Sequence, residues 1–112
     1  MTVYISPNPG KPQAYSIALR AAQILLTHAA QVLMQDTLQN DCSAMGVQYL
    51  PLEDCLQQTD VILTIGGDGT ILHEANRSLK YHKPILGINL GRCGFLATCE
   101  INEMEAKLAA VA

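Results

Sequence analysis

The chain has 112 residues, enough for one small domain with a real but thin core. Apolar residues make up 49% of it and charged ones only 15%, which argues for a globular fold and against disorder. The net charge is −3 with no basic run, so neither nucleic acid nor a membrane surface is indicated as a partner.

The opening "MTVYISPNPGK" lacks the basic region and long apolar stretch of a signal peptide. No apolar run nears the roughly 20 residues of a membrane helix. Cys42, Cys55, Cys93 and Cys99 form no CxxC pair, and no histidine sits nearby at metal spacing. They read as reduced cytosolic thiols rather than disulfides or zinc ligands, which places the protein in the cytoplasm. Trp is absent and Phe occurs once, so aliphatic side chains must fill the core.

In chain order, "TVYIS" (Thr2–Ser6) predicts a short strand, broken by the Pro- and Gly-rich turn "PNPGKP". A helix follows from near Pro12. Its polar face is Gln13, Ser16, Arg20, Gln23, Thr27 and Gln31; Ile17, Ala21, Ile24, Leu25 and Ala29 fill the other side. No glycine marks its end. Either it stops near His28 and "QVLMQD" (Gln31–Asp36) is a second strand, or it runs on through Met34. "VQYLPLEDCLQQ" reads as a short extended piece and then a short helix.

"DVILTI" (Asp60–Ile65) is a continuous β-branched run without alternation, as suits a central parallel strand covered on both faces. Ile71, Leu72, Ala75 and Leu79 mark one face of the next helix. "KPILGIN" (Lys83–Asn89) is a second buried strand, and "INEMEAKLAAVA" begins a helix with Asn102 as its cap. Strands alternating with helices predict an α/β fold, a Rossmann-like open and mostly parallel sheet with flanking helices. The last helix has no C-terminal glycine and no basic last turn. We therefore expect residues 1–112 to be one nucleotide-binding domain cut within its final helix.

"IGGDGT" sets Gly66, Gly67 and Gly69 at a strand-to-helix turn. Such a turn can aim several N–H groups at one anion, and the helix adds its positive end. No lysine follows, so it is not a Walker A loop, and the G-x-G-x-x-G spacing is missing. The bland alternative is a tight turn in which Asp68 or Thr70 caps a helix. A carboxylate there has two chemical uses. It can take a proton from a hydroxyl attacking a phosphoryl group, or help hold the magnesium that accompanies ATP. The later stretch "GINLGRCGFLAT" (Gly87–Thr98) also follows a strand, so both loops can face one cleft. Taken alone it reads as a turn with Phe95 in the core.

Together, "GGDGT" and "NLGRCGF" resemble the NAD kinase family, which carries a GGDGT turn and, one strand later, an N-x-G-x-x-G-F element. GGDGT alone is shared with diacylglycerol and sphingosine kinases and, more loosely, with phosphofructokinases. The likeness extends to the "NP–K" start and the "PILGIN" strand. It implies transfer of the γ-phosphoryl group of ATP, or a phosphoryl group of another donor such as polyphosphate, with Mg2+ or another divalent cation, to the 2′-hydroxyl of the adenosine ribose of NAD. Asp68 matches the general base. Gly66, Gly67, Gly69 and Thr70 would form the phosphate-facing turn, with Leu72 and His73 next to it on the nucleotide side. Asn89, Gly91, Phe95 and Leu96 match the second motif, the last two near adenine. For His73 the rival reading is an exposed helical residue, for Phe95 core packing, and for Asn89 a tie between two loops.

Cys93 stands where members commonly have Leu. The family also has a second, β-rich domain with an Asn-Glu pair that binds NAD and much of a homo-oligomer interface. Asn102-Glu103 comes too early to be that pair and reads as capping. An isolated domain is therefore expected to be inactive. Two other readings remain: a lipid kinase of the GGDGT group, and a non-catalytic nucleotide-binding module.

Overall fold

The computed structural model describes residues 1–90 and the strand Thr98–Cys99. The elements in chain order are β1 (Thr2–Pro7), α1 (Pro12–Thr27), β2 (Gln31–Gln35), a 3-10 turn (Asp36–Leu38), β3 (Val47–Leu50), α2 (Leu52–Gln58), β4 (Val61–Gly66), α3 (Asp68–Tyr81), β5 (Ile85–Asn89) and β6 (Thr98–Cys99). Among the described residues the strands form one sheet in the order β3-β2-β1-β4-β5-β6. Every neighbouring pair is parallel. The expected α/β Rossmann-like architecture is therefore present, with each element predicted up to Asn89 within a residue or two of its place; the final helix expected from residue 101 lies outside the described residues.

The helix that could have run through Met34 stops at Thr27. Ala29 turns the chain with φ 65°. The Ala29 N–H then donates to Leu26 O at 3.1 Å and the Ala30 N–H to Leu25 O at 3.0 Å. These are the two bonds of a Schellman ending, built here on alanine instead of glycine. Residues Gln31–Gln35 are then free to pair with β1 as a strand.

Side-chain alternation on β1 splits the core in two. Val3 and Ile5 face α1, where Ala14, Ala18, Ala21 and Ala22 present small side chains and let the helix lie close. Tyr4 faces the other way, toward Cys55 and Leu56 of α2, and packs with Leu33 and Ile62. Every residue of β4 is buried, as its unbroken apolar run requires.

Helix α3 departs from expectation. Ile71 is buried, but Leu72 is 55% exposed and Leu79 76%. The inward face is Ile71 and Glu74, with Ala75 and Ser78 half-buried. That is the helical period, with a glutamate where an apolar residue was expected. The helix borders a polar cleft, so apolarity is a poor guide to its inner side. Among the described residues no helix is long and apolar enough to cross a membrane.

Candidate active site

The strand order fixes where a ligand can sit. From β1 the chain crosses to β2 on one side; from β4 it crosses to β5 on the other. The loops leaving the carboxyl ends of β1 and β4 therefore diverge, and a crevice opens between them. It is a cavity of about 610 Å³. Its walls are Asn8 and Pro9 after β1, Gln35 and Thr37 at the end of β2, and one side of α3 from Gly69 to Arg77.

Both loops are tied down. The Asn8 N–H donates to Ile65 O at 2.9 Å, extending the β1–β4 ladder into the loop. Asn8 Oδ1 accepts from the Gly10 N–H at 2.9 Å, a side-chain-closed turn. Lys11 is the N-cap of α1. Its Cε lies 3.9 Å from the point a Cβ would occupy at Gly67. The lysine stem thus lies beside the glycine turn from a different loop, although no lysine directly follows the glycines in sequence. The "NP–K" start was the only hint of it.

Gly66 ends β4 opposite Asn89 of β5, and the Leu90 N–H donates to Gly66 O at 2.9 Å. The second motif therefore begins beside the glycine turn. A Cβ on Gly66 would stand 2.8 Å from Thr70 Cβ and Oγ1, so glycine is what lets α3 begin directly over the strand end. Gly67 is the helix cap, with no side-chain bond closing the end. Asp68 and Thr70 are the first and third helical residues instead of the cap residue. The first N–H groups of α3 have no acceptor within the helix and point toward whatever sits before it.

Of the residues singled out in the sequence, Gly69, Thr70 and His73 line the cleft, and His73 is exposed there. Gly66 and Gly67 form the turn that starts α3. Leu72 points outward and does not line the cleft. Gly91, Phe95 and Leu96 lie outside the described residues, as do Asn102 and Glu103.

Among the lining residues that escaped the sequence reading are Ser6, Glu74 and Arg77. Ser6 Oγ donates to Glu74 Oε1 at 2.9 Å, and Arg77 Nη1 donates to the same oxygen at 2.8 Å. Glu74 is 3% exposed. Only the helical phase, once fixed, shows that Glu74 points inward. Next to them the Tyr4 hydroxyl is pushed up to about 12, chiefly by burial. The Ser6 hydroxyl opposes that rise and the Glu74 charge adds to it.

A doubly wound α/β domain with a glycine turn at its switch-point cleft has the architecture of the nucleotide-binding folds. The sequence narrows the class further. The family described as "ATP-NAD kinase N-terminal domain" matches residues 3–112. The chain belongs to the NAD kinase family. It is 36% identical over 103 residues to the NAD kinase of Heliobacterium modesticaldum, covering 92% of this chain and 36% of that protein. It is 37% identical over 98 residues to the NAD kinase of Methanopyrus kandleri, covering 85% and 32%. Over 49 residues it is 57% identical to the NAD kinase of Clostridium kluyveri, covering 44% and 17%. The chain thus spans about a third of the length of the first two of these relatives.

Proposed function

We propose that this chain is the nucleotide-binding part of an enzyme that phosphorylates NAD at the 2′-hydroxyl of its adenosine ribose, with ATP as donor. The observation that carries this reading is the meeting of the GGDGT turn and the β1 loop at the switch point of the sheet. In the proposed reaction the 2′-oxygen forms a bond to the γ-phosphorus. The bond from that phosphorus to the β–γ bridging oxygen breaks, and its electron pair leaves with ADP. The hydroxyl proton goes to the carboxylate of Asp68, the general base.

The turn N–H groups at Gly67, Gly69 and Thr70 and the amine of Lys11 meet the negative charge of the transferring group. His73 contacts the nucleotide from α3, and Asn89 and Gly91 belong to the second motif, whose Phe95 and Leu96 lie near the adenine end. Magnesium arrives with the triphosphate. We place the turn within the wider group of GGDGT kinases. We also place the protein in the cytoplasm as a homo-oligomer, with NAD completed by an Asn-Glu pair on a second domain. The free, buried thiols of Cys42 and Cys55 suit a reducing compartment.

The test is Asp68→Asn in the full-length protein. NADP formation should fall by about 100- to 10,000-fold, with the thermal unfolding midpoint unchanged. A folded variant with near-normal kcat would remove Asp68 from the role of base.

A further inference from the structure

A second polar group lies further along the cleft than the glycine turn, where Glu74 of α3 meets Ser6 of β1. There Glu74 Oε1 accepts from both Ser6 and Arg77, at 2.9 and 2.8 Å. Its other oxygen, Oε2, is buried and has no hydrogen-bond partner among the described residues. Thr64, paired with Ser6 in the β1–β4 register, carries a buried Oγ1 that also has none. Buried polar atoms in folded proteins are nearly always satisfied, by protein, water or ligand. Of the two, Glu74 lines the cavity, and its free oxygen calls for a donor from there.

Charge decides what kind of donor fits. A phosphate would meet the carboxylate and be repelled. A divalent cation would meet the guanidinium of Arg77, already 2.8 Å from the carboxylate. The pair is neutral as a whole. It keeps one acceptor vacant, and a guanidinium has five N–H donors, only one of which is engaged among the described residues. An uncharged group that both gives and takes hydrogen bonds, a vicinal diol, matches that set. Its position agrees. Glu74 stands five residues beyond Gly69 on α3, about 7.5 Å along the helix axis. In a nucleotide the sugar is the next group after the phosphates, and the base lies further on.

Resting on the nucleotide reading of the cleft, we infer that Glu74, braced by Ser6 and Arg77, accepts hydrogen bonds from the ribose diol of a bound nucleotide. The terminal torsion of a glutamate is soft, so Oε2 turns toward an entering hydroxyl at little cost. Arg77, which is partly exposed at the cleft wall, donates back to the sugar oxygens.

Calorimetric binding to the full-length protein tests this. Two ligand pairs are compared: ATP with 2′,3′-dideoxy-ATP, and NAD with 2′-deoxy-NAD. In at least one pair the wild-type protein should prefer the ribose form by tenfold or more. Glu74→Ala should shrink that preference to twofold or less, and the pair that responds identifies the nucleotide supplying the diol. Glu74→Gln keeps the shape of the side chain and should cut the preference at least threefold, which covers an alanine variant that fails to fold. A preference that survives substitution in a folded variant overturns the assignment and leaves the nucleotide reading standing. So does a substitution that alters discrimination between ATP and ITP in place of the sugars. Failure of the wild-type protein to bind any of these nucleotides overturns both.

Discussion

At the scale of single residues, two glycines of one turn answer to different constraints. Gly66 is held by the fold, since a methyl group there would meet Thr70 at 2.8 Å. Gly66→Ala should cost about 1–3 kcal/mol in urea unfolding, as overpacking usually does. Gly69 has open space around its Cβ position and lines the cleft. Gly69→Ala should leave stability unchanged or raise it by up to about 1 kcal/mol, because alanine suits a helix better. Its ATP affinity should nevertheless fall at least tenfold, measured on the full-length protein. Unchanged affinity would mean that no ligand approaches the backbone there. The turn itself was legible in the sequence because three glycines directly after an apolar strand break the pattern at one point and favour a sharp bend. Ser6, Glu74 and Arg77 were not legible. Ser6 stands 68 residues from Glu74, and each of the three is an ordinary surface residue type until the fold brings them together. Leu72 failed for the opposite reason: an apolar type on an amphipathic helix suggested an inward face that the helical phase denies it.

At the scale of elements, strands were easier to find than helix ends. The β4 run is apolar at nearly every position because both its faces are covered, and that pattern survives in the bare sequence. Helix α1 ends without a glycine, and α3 ends on His82 with φ 55°. The usual stop signal is missing at both places, so the boundary after His28 stayed ambiguous from sequence. A left-handed conformation costs an ordinary residue roughly 1–2 kcal/mol. Ala29→Gly keeps the Schellman bonds and relieves that cost, while adding backbone freedom to the unfolded chain. We expect a net gain of about 0.5–1 kcal/mol, seen as a higher urea midpoint with an unchanged slope. A loss of stability would show that the alanine methyl is packed as well as strained.

At the scale of the whole molecule, alternating strands and helices revealed the fold class, but no local pattern encodes strand order. That order, which sets β1 beside β4 and so creates the cleft, arises only from the crossovers. The closed core also sets a pH dependence. Burial raises Cys55 from 9.0 to about 11 and Tyr4 from 10.0 to about 12, and raises Cys42 as well. The folded state therefore holds these protons more tightly than the unfolded chain does. The associated stability is complete below about pH 9 and is lost as pH rises through 11 and 12. Thermal unfolding midpoints should fall across that window, and Cys55→Ala should flatten its lower part. A wild-type midpoint that stays level from pH 9 to 12 would contradict this linkage. The cleft has a further consequence for how the protein is made. Ser6 and Glu74 meet across 68 residues of chain. During synthesis β1, α1 and β2 emerge first, while β1 still lacks its partner on the β4 side. Until β4 docks, the row of N–H and C=O groups along Val3, Tyr4 and Ile5 is unpaired on one side, open to adhesion with another nascent chain. Nucleotide cannot shield it, because half of the cleft does not yet exist. The strand that ends in the middle of the sheet begins its life as an edge.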